Sequence, residues 1–314
     1  MLAALVAVAA ALLQAAGMLA VAPLLKTGIK KMKARLQNRQ GPPLTQGYYD
    51  LAKLLRKEVI RSETASWVYV AGPRVYFSAA VAATTLVPVV IAAAPLEASG
   101  GILLLVGTFA LGRFALAVAA LDTGSPFGGM GASRDMTIAA LSEPALMLGL
   151  FTSALAAGSM NLGVLVRNVL QHGPSFHPSD LLAFAGLFII VIAETGRIPV
   201  DNPATHLELT MIHEAMVLEY AGPDLALVEW ASALKELLYI TLLVDLFVPA
   251  GIATSASPTA VVAALAAWTG KVVLFAIAVT LAESTNAKLR LFRVPELVSV
   301  SLGLAFLALA IRFL

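Results

Sequence analysis

The sequence predicts an all-α integral membrane protein with about eight transmembrane helices and large loops gathered on one side, and three observations predict it. The first is composition: of 314 residues, 59% are hydrophobic and only 13% charged, well under the roughly 25% charged residues of soluble domains. The second is run length. A helix that crosses a bilayer needs about 20 mostly apolar residues, and unpaired backbone in lipid is costly enough that such runs should be helical. The third is the placement of Lys and Arg, which are bunched in a few connectors; such bunching sets orientation in a membrane. The formal net charge of +2 is too small to argue for nucleic acid. Without cysteine, the chain can form no disulfide and offer no thiolate to an iron–sulfur cluster or another metal, so any redox centre must belong to a partner.

In chain order the candidate spans are Leu2–Leu25, Val75–Ala94, Gly101–Leu121, Met136–Ser159, Leu181–Glu194, Ala231–Pro249, Thr259–Glu283 and Leu297–Leu314. No positive n-region precedes the first, and Lys26 comes only after a full span's length, so it reads as a retained span and not a cleaved signal. The fifth is short unless it begins within "HPSD". Pro23, Pro88 and Pro249 lie at span ends or inside spans, where kinks are tolerated, and abundant Gly and Ala suit close helix contacts in lipid. The first connector carries Lys26, Lys30, Lys31, Lys33, Arg35, Arg39, Lys53, Arg56, Lys57, Arg61 and Arg74, which makes that side cytoplasmic. Counting forward, Arg134, Arg197, Lys288, Arg290 and Arg293 share it, and the other side has only Arg167 and Arg312. Both termini are then periplasmic, with the chain multi-pass in the cell inner (plasma) membrane. The expected organisation is one transmembrane domain, 1–314, with a basic cytoplasmic loop over 26–74 and an acidic one over 195–230. In the basic loop "GPPLTQG" is a break, after which Leu51, Leu54 and Leu55 are spaced as in an amphipathic interfacial helix or a surface helix serving only topology.

Acids inside a membrane cost about 2.5–3.5 kcal/mol on insertion scales, so each needs a reason. Glu143 and Asp245 sit well inside apolar runs; Glu194, Glu283 and Asp122 close runs and could simply meet water; Glu236 lies in the sixth span beside Lys235. Buried carboxyls linked by water form a proton path, and Lys271 is a candidate ion-pair partner for one of them. Neighbouring Lys235 and Glu236 point in different directions on a helix and need not pair. The densest stretch is "AETGRIPVDNPATHLELTMIHEAMVLEY", residues 193–220. Its two prolines forbid a regular helix in the first half, whereas Thr205 and Glu208 match a capping box opening a helix that carries His206, His213, Glu214 and Glu219. His213-Glu214 is followed by Val217 where a second zinc-binding histidine would stand, which excludes that protease motif. His206 and His213, about two turns apart on one face, leave a weak metal signal. There is no phosphate-cradling loop and no activated nucleophile, so catalysis by this chain alone is not expected.

The 193–220 stretch, together with "RLQNRQGPPLTQGYYDLAKLLRKE" and "GASRDMTIAALSEPAL", resembles the formate hydrogenlyase subunit 4 and hydrogenase-4 component C group, relatives of the quinone-site membrane subunit of respiratory complex I. The resemblance covers nearly the whole chain. It implies a membrane subunit of a [NiFe]-hydrogenase complex that anchors a peripheral redox arm and couples electron transfer to proton translocation. Its implied partners are hydrogenase large and small subunits, an iron–sulfur subunit and antiporter-like membrane subunits, with the nickel–iron centre and clusters in those chains and no cofactor here. It implies a proton pathway through Glu143, Glu194, Asp201, Glu208, Glu214 and Glu219, which the reading of buried acids extends to Asp245 and Glu283, and arm docking at Arg39, Arg197, His206 and His213. Here "TGRIPVDNP" replaces the N-R-x-P-F-D-L-P wording of the quinone enzymes and the two histidines are additions, which weighs against quinone binding.

Three other readings stay open: a quinone-site subunit of a complex I-like NADH-quinone oxidoreductase, a passive anchor whose acids only position the arm, and an independent ion transporter. The last would be expected to show an internal repeat, and none is evident.

Overall fold

The computed structural model describes residues 2–62, 64–92, 101–173, 177–201, 211–254 and 257–313. Among the described residues, eleven α-helices run in the order α1 (Leu2–Leu36), α2 (Gln46–Leu55), α3 (Trp67–Leu86), α4 (Ile102–Asp122), α5 (Pro126–Ala157), α6 (Leu162–His172), α7 (Pro178–Glu194), α8 (His213–Val217), α9 (Gly222–Phe247), α10 (Pro258–Thr285) and α11 (Val294–Phe313). Each of the eight candidate spans overlaps a helix, residues 93, 94 and 314 of two of them lying outside the described residues. Among the described residues, five helical stretches are long and apolar enough to cross a membrane: 7–36, 102–122, 126–157, 258–285 and 291–313. The other three are α3, interrupted by Pro73 and Arg74; α7, only 17 residues long; and α9, which carries Asp224, Glu229, Lys235, Glu236 and Asp245. The protein is therefore a multi-pass, all-helical membrane protein.

Helix α9 is the axis of the core. From Ala233 to Leu246 every side chain is buried, and α1, α2, α3, α6, α7 and α10 pack around it. Helix α4 lies between α3 and α5, and α11 lies against α5 and α7. Large apolar side chains such as Leu12, Leu13, Leu111, Phe114, Val262, Leu274 and Phe306 point outward. In water they would be a liability; in lipid they are the solvent-matched surface.

Several helices outrun their apolar stretches. Helix α1 continues from Leu25 to Leu36 because "KTGIKKMKARL" has no breaker and many good helix formers; it ends where Asn38 turns to φ 56° and the Arg39 N–H returns to the Ala34 carbonyl at 2.8 Å. Helix α3 occupies 67–86, not 75–94, since Ser66 caps it by accepting from the Val68 N–H and Pro88 holds Val87 extended at its end. Helix α5 begins at Pro126, a favoured first helical position, instead of at Met136. Helix α9 begins at Gly222 instead of Ala231, with Asp224 buried against Arg61 and Arg74 and Glu229 paired with Lys26. Helix α2 is the amphipathic segment expected in the basic loop, and α6 is an amphipathic helix outside the eight candidate spans. The helix expected from Thr205 lies partly outside the described residues. Within them, Met211 and Ile212 are not helical and α8 spans 213–217.

Candidate functional site

A buried ion-pair network joins the end of α7 to the middle of α4, α5 and α9. Its centre is Glu194, the last residue of α7, whose side chain is only 2% exposed. Four donors converge on that carboxylate. Arg113 of α4 pairs with it through Nη2, Lys235 of α9 donates from Nζ at 2.9 Å, the Tyr239 hydroxyl donates at 3.1 Å, and Ser142 of α5 donates to the other oxygen at 2.6 Å. Lys235 and Tyr239 are one helical turn apart, so one face of α9 presents both.

Arg113 divides itself among three carboxylates. Besides Glu194 it reaches Glu143 from Nη1 at 3.4 Å and Asp135 from Nε at 3.6 Å. Asp135 and Ser142 lie about two turns apart on α5 and so face the same way. Glu143, next to Ser142, is turned aside and its side chain is 34% exposed. The resemblance implies an enclosed glutamate here; hydropathy reports depth along a helix but not which face a side chain takes.

From Asp135 the polar chain leaves the helices for the loop. His213 Nε2 stands 3.3 Å from Asp135 Oδ1, and its Nδ1 is 3.7 Å from Asp201 Oδ2. The second contact is too long for a hydrogen bond, and Nδ1 is buried without one. The Asp201 carboxylate accepts from the backbone N–H of Ile212 at 3.1 Å and of His213 at 3.2 Å. It thereby caps α8, and Lys288 lies 3.8 Å away. The turn that brings Asp201 there follows α7 directly: the N–H groups of Thr195, Gly196 and Arg197 return to Val191, Ala193 and Ile192. Gly196 adopts φ +59°, and a Cβ on it would stand 2.8 Å from His213 Nδ1.

A second cluster backs onto the first. Arg197 donates from Nε to Glu236 at 2.8 Å and from Nη1 to Glu283 of α10 at 3.1 Å, while Lys33 of α1 approaches Glu283 at 3.8 Å. Burial works against the charge on Arg197, but Glu236 and Glu283 more than offset it and hold the guanidinium above its ordinary basic range. Lys235 and Glu236 thus serve opposite clusters, as neighbours on a helix must.

Of the remaining sequence-derived residues, the described ones belong to neither of these two clusters. Glu214 is half-buried and Glu219 exposed, the Glu219 carbonyl accepting from the Tyr69 hydroxyl at 2.6 Å. Asp245 is buried at the far end of α9, and Arg39 is exposed. His206 and Glu208 lie outside the described residues. Asp122 is a cap: it accepts from the Ser66 N–H and hydroxyl and the Tyr69 N–H, holding the start of α3. Sequence reasoning passed over Asp135, because its apolar run began at Met136, and Asp224, which Arg61 and Arg74 neutralise at 3.5 and 3.3 Å. The shared face of Asp135 and Ser142 was the available signal for the first.

An all-helical membrane protein with a charged core at one end is the class this geometry defines. The sequence matches the NADH dehydrogenase family over residues 8–313, and the chain belongs to that family. It is 34% identical over 298 residues to formate hydrogenlyase subunit 4 of Escherichia coli (strain K12), covering 95% of this chain and 96% of that one. It is 33% identical over 299 residues to hydrogenase-4 component C of the same organism, covering 95% and 93%. A subunit of the NADH-quinone oxidoreductase of Paraburkholderia phymatum is 30% identical over 201 residues, 60% of this chain and 56% of that one. The fold is shared with a chain of the membrane-bound sulfane sulfur reductase, an archaeal respiratory membrane complex, at TM-score 0.84 and 20% identity, covering 98% and 99%.

Proposed function

We propose that this chain is the membrane subunit of a formate hydrogenlyase-like [NiFe]-hydrogenase complex, anchoring a peripheral redox arm and coupling its electron transfer to proton translocation. The observation that carries the reading is the run of ionisable groups, neighbours 3.3–3.7 Å apart, from Glu143 through Arg113, Asp135 and His213 to Asp201 in the loop. Kinship with formate hydrogenlyase subunit 4 along nearly the whole chain supports the hydrogenase assignment. We assign the nickel–iron centre and iron–sulfur clusters to partner chains, since this one has no cysteine to hold them. The other partners in this reading are hydrogenase large and small subunits, an iron–sulfur subunit and antiporter-like membrane subunits. All eight long helices span the inner membrane, with both termini periplasmic and the 26–74 and 195–230 loops cytoplasmic under the arm.

In this mechanism Arg113 is the divider. It pairs with Glu194, Glu143 and Asp135 at once, so a displacement toward one carboxylate weakens its hold on the others and lets them take a proton. Glu194 holds the central proton site between Arg113, Lys235 and Tyr239. His213 passes a proton between the Asp201 and Asp135 sides, and movement of the 195–230 loop under the arm shifts that histidine. Glu208, Glu214 and Glu219 feed the loop, Glu283 stabilises Arg197, and Arg39, Arg197, His206 and His213 meet the arm. The alternative quinone-site reading draws on the NADH-quinone oxidoreductase relatives, which share less of the chain.

The test is Glu194→Gln in the assembled complex, with hydrogen evolution and proton translocation measured together in sealed vesicles. Hydrogen evolution with little accompanying translocation is expected. Translocation per hydrogen equal to the unaltered complex would sink the coupling role and leave a passive anchor.

A further inference from the structure

Asp245 belongs to none of the clusters described above. It sits near the end of α9 remote from the loop, 1% exposed, and neither carboxylate oxygen has a hydrogen-bond partner. Its helical neighbour on the same face is Thr241, one turn back, whose hydroxyl accepts from the Trp268 indole of α10 at 3.3 Å. That face looks toward α10, away from the one that carries Lys235 and Tyr239. The charge that acts on Asp245 is Lys271, also on α10, but the Lys271 ammonium is donated elsewhere, to the Val248 carbonyl at 3.0 Å. A buried carboxylate left unpaired beside a cation that bonds to backbone is a poor structural ion pair.

Immediately beyond it, Leu246 and Phe247 line a cavity of about 270 Å³ whose other walls include Ser153, Asn168, His172, Asp180 and Arg312. These come from the ends of α5, α6 and α11 and the start of α7, all at the end of the molecule opposite the loop. Its volume and polar lining suit several waters, each with groups to bond. The cavity opens on the side of α9 that faces α5, α6 and α11, whereas Asp245 faces α10, where the Lys271 ammonium and the Val248 carbonyl meet at an exposed contact.

We infer that Asp245 is a proton-holding site on the side remote from the redox arm, controlled by Lys271 and loaded and emptied at the exposed contact between Lys271 and the Val248 carbonyl. With the ammonium on the Val248 carbonyl, the Asp245 carboxyl keeps its proton and no buried charge is left unpaired. When Lys271 swings to Asp245, the O–H bond breaks, the proton passes to water at the exposed Val248 end of α9, and the carboxylate and ammonium pair. On the return swing the carboxylate takes a proton back and the O–H bond re-forms. The inference rests on the proton-coupling reading above and adds its release site.

Two measurements on the whole complex test it. Infrared spectra at neutral pH should contain a protonated-carboxyl stretch that disappears in Asp245→Asn and persists in Lys271→Met. In vesicles, both variants should evolve hydrogen while translocation falls to background, and Asp245→Glu, which keeps the carboxyl, should restore it. Identical carboxyl stretches with and without Asp245, or translocation unaffected by Asp245→Asn, overturn the inference. If Asp245→Asn does not assemble, Lys271→Met decides: unchanged translocation overturns it, and loss with the stretch retained supports it. Absence of translocation in the unaltered complex would instead overturn the coupling function itself, which separates the two failures.

Discussion

Arg113 carries more of the site than any other side chain. It is nearly enclosed and touches Asp135, Glu143 and Glu194, three carboxylates that would otherwise share Lys235 and whatever His213 supplies. Removing one partner from a buried ionic group is expected to cost about 3–5 kcal/mol, mostly from the charges left behind. Arg113→Met should therefore lower the melting temperature of the complex and the amount of subunit recovered from membranes. Arg113→Lys is more informative. A lysine presents a point charge where arginine presents a planar fork, so it can hold Glu194 but not all three acids together. Recovery should stay closer to that of the unaltered protein while proton translocation per hydrogen evolved falls. If Lys restores both in full, Arg113 is a charge balance only and its division among three acids has no function.

The elements that aim these residues are the turn after α7 and the short α8. Gly196 lies under the His213 ring in a backbone conformation that disfavours a side chain. Gly196→Ala should cost roughly 1–2 kcal/mol from the left-handed backbone alone, with a further loss because its methyl would push the imidazole off its place between Asp135 and Asp201. Adding His213→Ala separates the two effects. In melting measurements the double variant should be less destabilised than the sum of the singles; strict additivity would show that the ring and the glycine are independent. This scale was the hardest to read from sequence. "AETGRIPVDNP" announced a shaped, non-helical loop, but a helix of five residues capped by Asp201 leaves no periodicity to detect. Apolar runs likewise gave the existence of eight helices but not the starts of α3, α5 and α9. Helices α5 and α9 begin in polar sequence whose charges are neutralised by partners that no local pattern reveals, and that is why Asp135 and Asp224 escaped notice.

At the scale of the whole molecule, the basic connector and the acidic loop are fastened together at one end. Arg61 and Arg74 hold Asp224, Lys26 holds Glu229 at 2.7 Å, and the rings of Tyr69 and Tyr220 stack with centroids 4.3 Å apart. The opposite charge of the two segments was plain in the sequence, and so was the membrane; which acid meets which base was not, because the partners are distant in the chain and the fold alone brings them together. This fastening gives a way to separate holding the arm from moving protons. Asp224 is buried but has no link to Glu194, so Asp224→Asn should loosen the connector without touching the proton network. Trypsin should then cut faster after Arg56, Lys57 and Arg61, and the peripheral arm should dissociate at lower salt, since surface charge pairing is what remains to retain it. Complexes that keep the arm should translocate as many protons per hydrogen as the unaltered protein. A fall in that ratio would mean that the connector–loop junction is itself part of the coupling path, and that the charge network extends through Asp224 to the membrane surface.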